Sequence, residues 1–197
     1  MALSLSACAS LDKEAACAPV EAYLNALKAG DLDTVTEYEA EDYRESGVTA
    51  AMGSFETMLE SAGMGSQFNT EAQKFMQEWV KLCFADYTIE DVKQGENKDE
   101  AQVTVSITGL PFEQANVEQL ISETETDMQD DLRTYVQSGA DLSDPEKMYG
   151  DIGKMVFDTM IEKLKKEESA TSTVVFVTRK QADSDTWLIV NALEPAK

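Results

Sequence analysis

The chemistry open to this chain is limited by the absence of histidine from its 197 residues. Histidine is the usual general base near neutral pH, the partner of serine and cysteine nucleophiles, and the commonest zinc ligand. The groups that remain are carboxylates, tyrosine, lysine, serine and threonine, together with three cysteines. The candidate functional groups are therefore the cysteines and the carboxylate and tyrosine pairs, and we expect no cofactor and no bound metal.

The first cysteine, Cys8, ends the short apolar and small-residue run Leu5-Ser6-Ala7-Cys8. This quartet resembles the bacterial lipobox, whose cysteine receives a diacylglyceryl group through sulfur. By that resemblance, residues 1–7 are the remnant of a signal peptide and residues 8–17 are a lipidated cysteine and flexible spacer. Because two acyl chains anchor a protein stably, we expect the lipid bilayer as a partner and the extracytoplasmic face of a bacterial cell membrane as the location.

The other two cysteines, Cys17 and Cys83, allow two interpretations. An oxidising compartment outside the cytoplasm would permit a disulfide between them. Both, however, lie in apolar periodic segments, where free cysteine behaves as a small hydrophobic residue. The sequence leaves a disulfide and two buried thiols as alternatives.

Carboxylate and tyrosine residues offer one route to catalysis, and aromatic residues offer a binding pocket. Asp86 with Tyr87, or a carboxylate with Tyr23, could abstract a proton beside a carbonyl. Tyr23, Trp79, Tyr87 and Trp187 could together line a ligand pocket. Because tyrosine and tryptophan on amphipathic elements are usually core residues, ordinary packing is the alternative for both sets.

The charge balance excludes one class of partner. With 38 acidic and 16 basic residues, the formal net charge is −22, which repels nucleic-acid backbones. We therefore expect no nucleic-acid binding. A series of carboxylates could supply oxygens for calcium, but a calcium loop needs a glycine turn, and this series has helical spacing. A solvated helix face is the interpretation we adopt for Glu123, Glu125, Asp127, Asp130 and Asp131.

Apolar periodicity predicts helices in the first 83 residues. A helix that starts at Ala18-Pro19 would place Val20, Tyr23, Leu24 and Leu27 on one face and stop at Gly30. The segment 39–51 is polar and irregular, and a short helix is predicted over 55–59. Thr70-Glu71-Ala72-Gln73 is typical of a capping box that opens a further helix.

Strand periodicity follows and predicts two hairpins. Cys83, Ala85, Tyr87 and Ile89 alternate with polar residues, as do Val103, Val105 and Ile107. Residues 173–178 and 187–191 form the second pair. Between the hairpins lies a helical block, with Asn116 and Asp144 as predicted caps. Helices alternating with antiparallel hairpins indicate an α+β fold.

Two segments are similar to nuclear transport factor 2-like domains. "APVEAYLNALKAGDLDTVTEY" resembles their first helical hairpin, and "DTWLIVNAL" resembles their last strand. The resemblance implies N-terminal helices packed on a curved antiparallel sheet, a cone within a single domain over 18–195. The helical insertion, at about 113–168, departs from the pattern.

Together these observations predict a membrane-anchored, extracytoplasmic lipoprotein that is a non-enzymatic binding module for a small ligand or an envelope protein. The first alternative is an enzyme of isomerase or dehydratase type that uses Asp and Tyr in the cone. The second alternative is a purely structural envelope protein. We expect the geometry of the cone to distinguish among the three.

Overall fold

The computed structural model describes residues 11–61, 68–111, 114–138 and 143–193. Within these ranges the chain is an α+β protein, with helices preceding and interrupting a four-stranded antiparallel sheet. The predicted fold class is therefore confirmed at the level of α+β. The quartet that ends at Cys8 lies outside the described residues.

The first helix, α1, spans Lys13–Ala29 and starts earlier than the sequence predicted. Its N-cap is Asp12, whose Oδ1 accepts a hydrogen bond from the Ala15 amide at 3.1 Å. Pro19 consequently lies inside the helix, not in its first turn. Gly30 ends the helix as predicted, with φ of 69°, a left-handed conformation that glycine adopts without steric cost.

Among the described residues, four further helices precede the sheet. They are α2 (Leu32–Val35), α3 (Glu41–Arg44), α4 (Val48–Ser61) and α5 (Asn69–Cys83). The segment predicted to be irregular thus contains α3 and the start of α4. The predicted capping box at Thr70 is also wrong, because α5 begins at Asn69, which places Thr70 inside the helix, and its N-cap, Phe68, makes no side-chain cap hydrogen bond.

The strands form one antiparallel sheet in the order β1 (Asp86–Gln94), β2 (Glu100–Gly109), β3 (Ala170–Lys180) and β4 (Trp187–Leu193). Both predicted hairpins are present, although Cys83 and Ala85 precede the first strand. Val103, Val105 and Ile107 all point toward the core, as their alternation predicted. In register, Val103 pairs with Phe176 on β3, so that the two hairpins meet at the centre of the sheet.

The helical insertion connects the two central strands. It consists of α6 (Gln114–Gln137) and α7 (Pro145–Leu164). Asp144 caps α7 as predicted, since its Oδ1 accepts from the Lys147 amide at 3.1 Å. The insertion packs mainly through α7 against α5.

Buried side chains fall into two large clusters that share α5. The first, which we call the sheet-side core, joins α1 to the strands through residues such as Tyr23, Leu24 and Val105. The second, which we call the helical core, joins α4, α5, α6 and α7 through residues such as Phe75 and Phe157. Val80 belongs to the sheet-side core, whereas Phe75, on a different face of α5, belongs to the helical core. The insertion therefore forms a second core beside the sheet together with α4 and α5.

None of the helices in the described residues combines the length and the apolar character that crossing a bilayer requires.

Candidate functional site

The four aromatic residues predicted to line one pocket lie in different parts of the fold. Tyr23 is 1% exposed in the sheet-side core, where its ring meets Phe176 edge-on at 5.9 Å between centroids. Trp79 lies in the helical core, and Trp187 packs with Ala16 and Ala101 in a small third cluster. Tyr87 lies at the margin of the sheet-side core and donates a hydrogen bond to Asn25 Oδ1 at 3.0 Å. The four therefore form no common site.

Trp79 does line a cavity, of about 410 Å³, which we call the Trp79 cavity. This volume is within the range of sites for small organic ligands. Three elements and a connecting segment meet here: α5, the residues after β2, α6 and the end of α7. The apolar side chains of the cavity come from Trp79, Leu110, Pro111, Leu120 and Leu164, and the polar ones from Gln119, Glu123, Glu167 and Glu168.

Helix spacing and one backbone hydrogen bond place several of the side chains that line the Trp79 cavity. On α6, Gln119 and Glu123 are four residues apart and therefore share a face. Leu110 is placed by a hydrogen bond from its amide to the Leu82 carbonyl oxygen, at 2.9 Å, which ties the end of β2 to the end of α5. Leu164 is the last residue of α7. The cavity thus exists only because the insertion returns to α5.

Carboxylates dominate the rim of the Trp79 cavity. Glu123 Oε1 accepts from Gln119 Nε2 at 2.7 Å. The nearby ammonium of Lys163 lies 2.8 Å from Asp127 Oδ2 but 3.9 Å from Glu123 Oε2, so it neutralises Asp127 more than Glu123. Glu167 and Glu168 are exposed. The rim is consequently negative above an apolar interior.

The two described cysteines are free thiols in separate clusters. Cys17 belongs to the sheet-side core and Cys83 to the helical core, and of the two alternatives left open by the sequence the structure has two buried free thiols. Burial raises the pKa of the Cys83 thiol to about 12. Burial, together with the Glu21 carboxylate, also raises the pKa of Cys17. Because the thiolate is the reactive form and a raised pKa disfavours it, neither sulfur is activated as a nucleophile.

A buried carboxylate lies beside two tyrosines at a place that the sequence did not indicate. Glu39 is 0% exposed, and its Oε2 accepts from Thr49 Oγ1 at 2.5 Å. Neither Glu39 Oε1 nor the Tyr23 hydroxyl makes a hydrogen bond of good geometry to any group in the described structure. Burial raises the pKa of Tyr43 to about 12, with the Tyr23 hydroxyl opposing the rise and Glu39 adding to it.

The backbone of this segment explains why Glu39 is buried. Ala40 donates its amide to the Ile189 carbonyl oxygen, and Ile189 donates to the Tyr38 carbonyl oxygen, each at 2.8 Å. Residues 38–40 thereby cover the edge of β4 and turn the Glu39 side chain inward. Glu39 and Tyr23 do not line the Trp79 cavity. We therefore treat this cluster as part of the core.

The carboxylate and tyrosine pair considered from the sequence, Asp86 and Tyr87, is divided between different partners. Asp86 Oδ1 accepts from Lys28 Nζ at 2.8 Å, and this hydrogen bond lowers the pKa of the carboxyl. The Tyr87 hydroxyl donates a hydrogen bond to Asn25 on α1. As neighbours on one strand, the two side chains point to opposite faces of the sheet.

A second, more open and polar cavity, of about 1080 Å³, lies at the turns of the two hairpins. Arg179 lines it and places Nε and Nη2 at 2.9 and 2.7 Å from Glu100 Oε1. Asn97 donates to the other carboxylate oxygen at 2.9 Å. These contacts, that of Arg179 first, lower the pKa of Glu100.

We expect Arg179→Met to lower the free energy of unfolding at pH 7 by about 1 kcal/mol. The effect is modest because Arg179 is 51% exposed, although Glu100 is only 8% exposed. Since the folded-state pKa of Glu100 is lowered, the stabilisation is complete above about pH 4.3 and is lost as the pH falls through the folded value. Urea unfolding across this range measures it, with Lys166→Met, at an exposed position, as the control. A difference that persists unchanged at pH 2 would contradict the assignment.

The acidic series on α6 makes ion pairs along the helix surface. Asp130 pairs with Arg133 at 2.9 Å, Asp127 pairs with Lys163, and Asp131 is exposed. The side chain of Glu125 lies outside the described residues. Within the described ranges, no group of three or more carboxylates and thiols is arranged to hold a metal ion.

Comparison of the chain with protein-family models, with curated proteins and with solved structures finds no match. The resemblance to nuclear transport factor 2-like domains therefore stays a prediction.

Proposed function

We propose that this protein is a non-enzymatic binding module that holds a small molecule in the Trp79 cavity. The observation that carries the proposal is a cavity of about 410 Å³ whose lining combines buried apolar side chains, among them Trp79 and three leucines, with four exposed polar side chains. Sites of this size and composition are typical of small-ligand pockets. In this proposal the sheet and α1 form the cone-like scaffold, and the helical insertion supplies the ligand site beside it.

We expect a neutral, environment-sensitive dye such as Nile red to bind the protein and to fluoresce more strongly, with a blue shift. Leu120→Trp places a bulky ring in the cavity, and we expect it to weaken dye binding about tenfold. Val136→Trp is the matched control, since Val136 lies on the same helix but is 55% exposed and does not line the cavity.

Because Leu120 is buried, a second variant, Gln119→Trp, introduces the same ring from an exposed lining position. Circular dichroism establishes that each variant is folded. Equal dye binding by the wild type and both folded plug variants would overturn the binding proposal and favour a purely structural protein.

We also propose that the module is tethered to the outer face of a bacterial cell membrane through a lipid on Cys8. The support is the Leu5-Ser6-Ala7-Cys8 quartet and the energetics of anchoring by two acyl chains. Expressed from the full-length gene in a bacterium that processes lipoproteins, the protein should fractionate with membranes, and Cys8→Ala should release it. Cys17→Ala, which changes a buried thiol, should leave it membrane-bound. Recovery of the unmutated protein in the soluble fraction would overturn the tether.

A further inference from the structure

We propose that the ligand of the Trp79 cavity is a small amphipathic cation, with an apolar body inside the cavity and an ammonium group among the carboxylates at the rim. This inference rests on the proposed function and adds the chemical class of the ligand.

The interior of the cavity matches an apolar body. Trp79, Leu110, Leu120 and Leu164 are all buried residues of the helical core or its border, and each turns part of its surface toward the cavity. Transfer of apolar surface from water into such a site is favourable by about 25 cal/mol per Å². A phenyl or short alkyl group would therefore gain from burial, whereas a polar body would lose its hydration without replacement.

The rim matches a positive head group. Three of the described lining residues, Glu123, Glu167 and Glu168, are acidic, and none of the described lining residues is basic. Lys163, the nearest ammonium that the structure pairs with this rim, lies closest to Asp127. A ligand cation at the rim would neutralise the Glu123 carboxylate, which Lys163 neutralises only weakly from 3.9 Å.

Two longer-range fields act in the same direction. Leu164 ends α7, so the negative end of the α7 dipole lies at the cavity, where Lys163 in the last turn offsets part of it. The formal net charge of −22 attracts cations to the protein and repels anions. An anionic ligand with the same apolar body would meet repulsion from the rim, the helix end and the protein as a whole.

The test uses three probes that share one apolar body: 4-phenylbutylamine, which is protonated at pH 7, 4-phenylbutan-1-ol and 4-phenylbutanoate. Isothermal titration to the wild-type protein should show the amine binding about tenfold more tightly than the alcohol, and the acid more weakly than the alcohol. High salt should reduce the advantage of the amine, because the rim is exposed to solvent.

The variant that tests the rim is Glu123→Gln/Glu167→Gln/Glu168→Gln. We expect it to bind the alcohol as the wild type does but to lose most of the preference for the amine. Its control, Glu37→Gln/Glu45→Gln/Glu96→Gln, removes the same charge from exposed residues that line neither described cavity, and should keep the preference.

Equal affinity for the amine and the alcohol, preference for the acid, or failure of the amine to bind at all would each overturn this inference. A preference that the control triple variant loses equally would also overturn it, since the effect would then come from net charge alone. The Nile red measurement on the plug variants judges the binding function separately, because that dye carries no charge.

Discussion

Gly109→Ala is expected to lower the free energy of unfolding by about 3 kcal/mol or more, the upper end of the range for overpacked sites. A Cβ at this position would lie 2.0 Å from the Cys83 carbonyl oxygen and 2.7 Å from that of Leu82. Both atoms belong to the backbone, and the Leu82 oxygen also accepts the Leu110 amide. Because no flexible side chain can move aside, relief of the clash requires β2 to separate from the end of α5.

Urea unfolding of Gly109→Ala and the wild type measures this effect, and Gly150→Ala is the matched control. A Cβ at Gly150, on α7, would meet nothing within 4 Å. The same substitution there should raise stability by about 0.5–1 kcal/mol, because alanine favours helix more than glycine does. If Gly109→Ala unfolded at the urea concentration of the wild type, the close approach of β2 to α5 would be wrong.

The same contact matters for binding, because Gly109 precedes Leu110 and Pro111, which line the Trp79 cavity. A Gly109→Ala protein that still folds should therefore bind Nile red more weakly, although it changes no lining residue.

Local patterns predicted those parts of the fold that local energetics determine. The alternation of Val103, Val105 and Ile107 predicted a strand with one buried face, because a strand exposes every second side chain to the core. Asp144 was predicted as a helix cap because its carboxylate can bond a free amide of the first turn. Both signals lie within a few residues of the feature that they predict.

Tertiary contacts overruled local signals elsewhere. Pro19 predicted a helix start, yet Ala16 and Cys17 pack into buried clusters as part of the same helix, and Thr178 donates a hydrogen bond to the Ala16 carbonyl oxygen at 3.0 Å. These contacts involve β3, which is distant in sequence. No window around Pro19 contains them.

In the candidate site, too, local sequence indicated some residues, whereas tertiary contacts determine the others. Trp79 was among the predicted pocket residues, but its partners in the cavity come from three other parts of the chain. Leu110, Leu120 and Leu164 are each ordinary apolar residues in sequence, and they converge only because the insertion folds back on α5. Glu39 gave no signal either, because its burial depends on backbone pairing with Ile189.

Thr49→Val is expected to lower the free energy of unfolding by about 1–3 kcal/mol, the range for leaving a buried hydrogen-bond acceptor without its donor. Thr49 Oγ1 donates to Glu39 Oε2, and Glu39 Oε1 has no hydrogen-bond partner of good geometry in the described structure. Valine keeps the shape of threonine but removes the hydroxyl. The fully buried carboxylate would then lose its side-chain donor while staying shielded from water.

A double-mutant cycle with Glu39→Met separates this hydrogen bond from changes in packing. Methionine has similar length and no carboxylate, so Thr49→Val in that background should cost about 0.5 kcal/mol or less, within the range of ordinary packing changes. Tyr23→Phe is the contrasting variant: because the Tyr23 hydroxyl makes no hydrogen bond of good geometry with Glu39, its removal should cost less than Thr49→Val. Equal costs of Thr49→Val in both backgrounds would show that the hydroxyl does not stabilise the buried carboxylate. A large loss on Tyr23→Phe would instead place the main donor to Glu39 on α1.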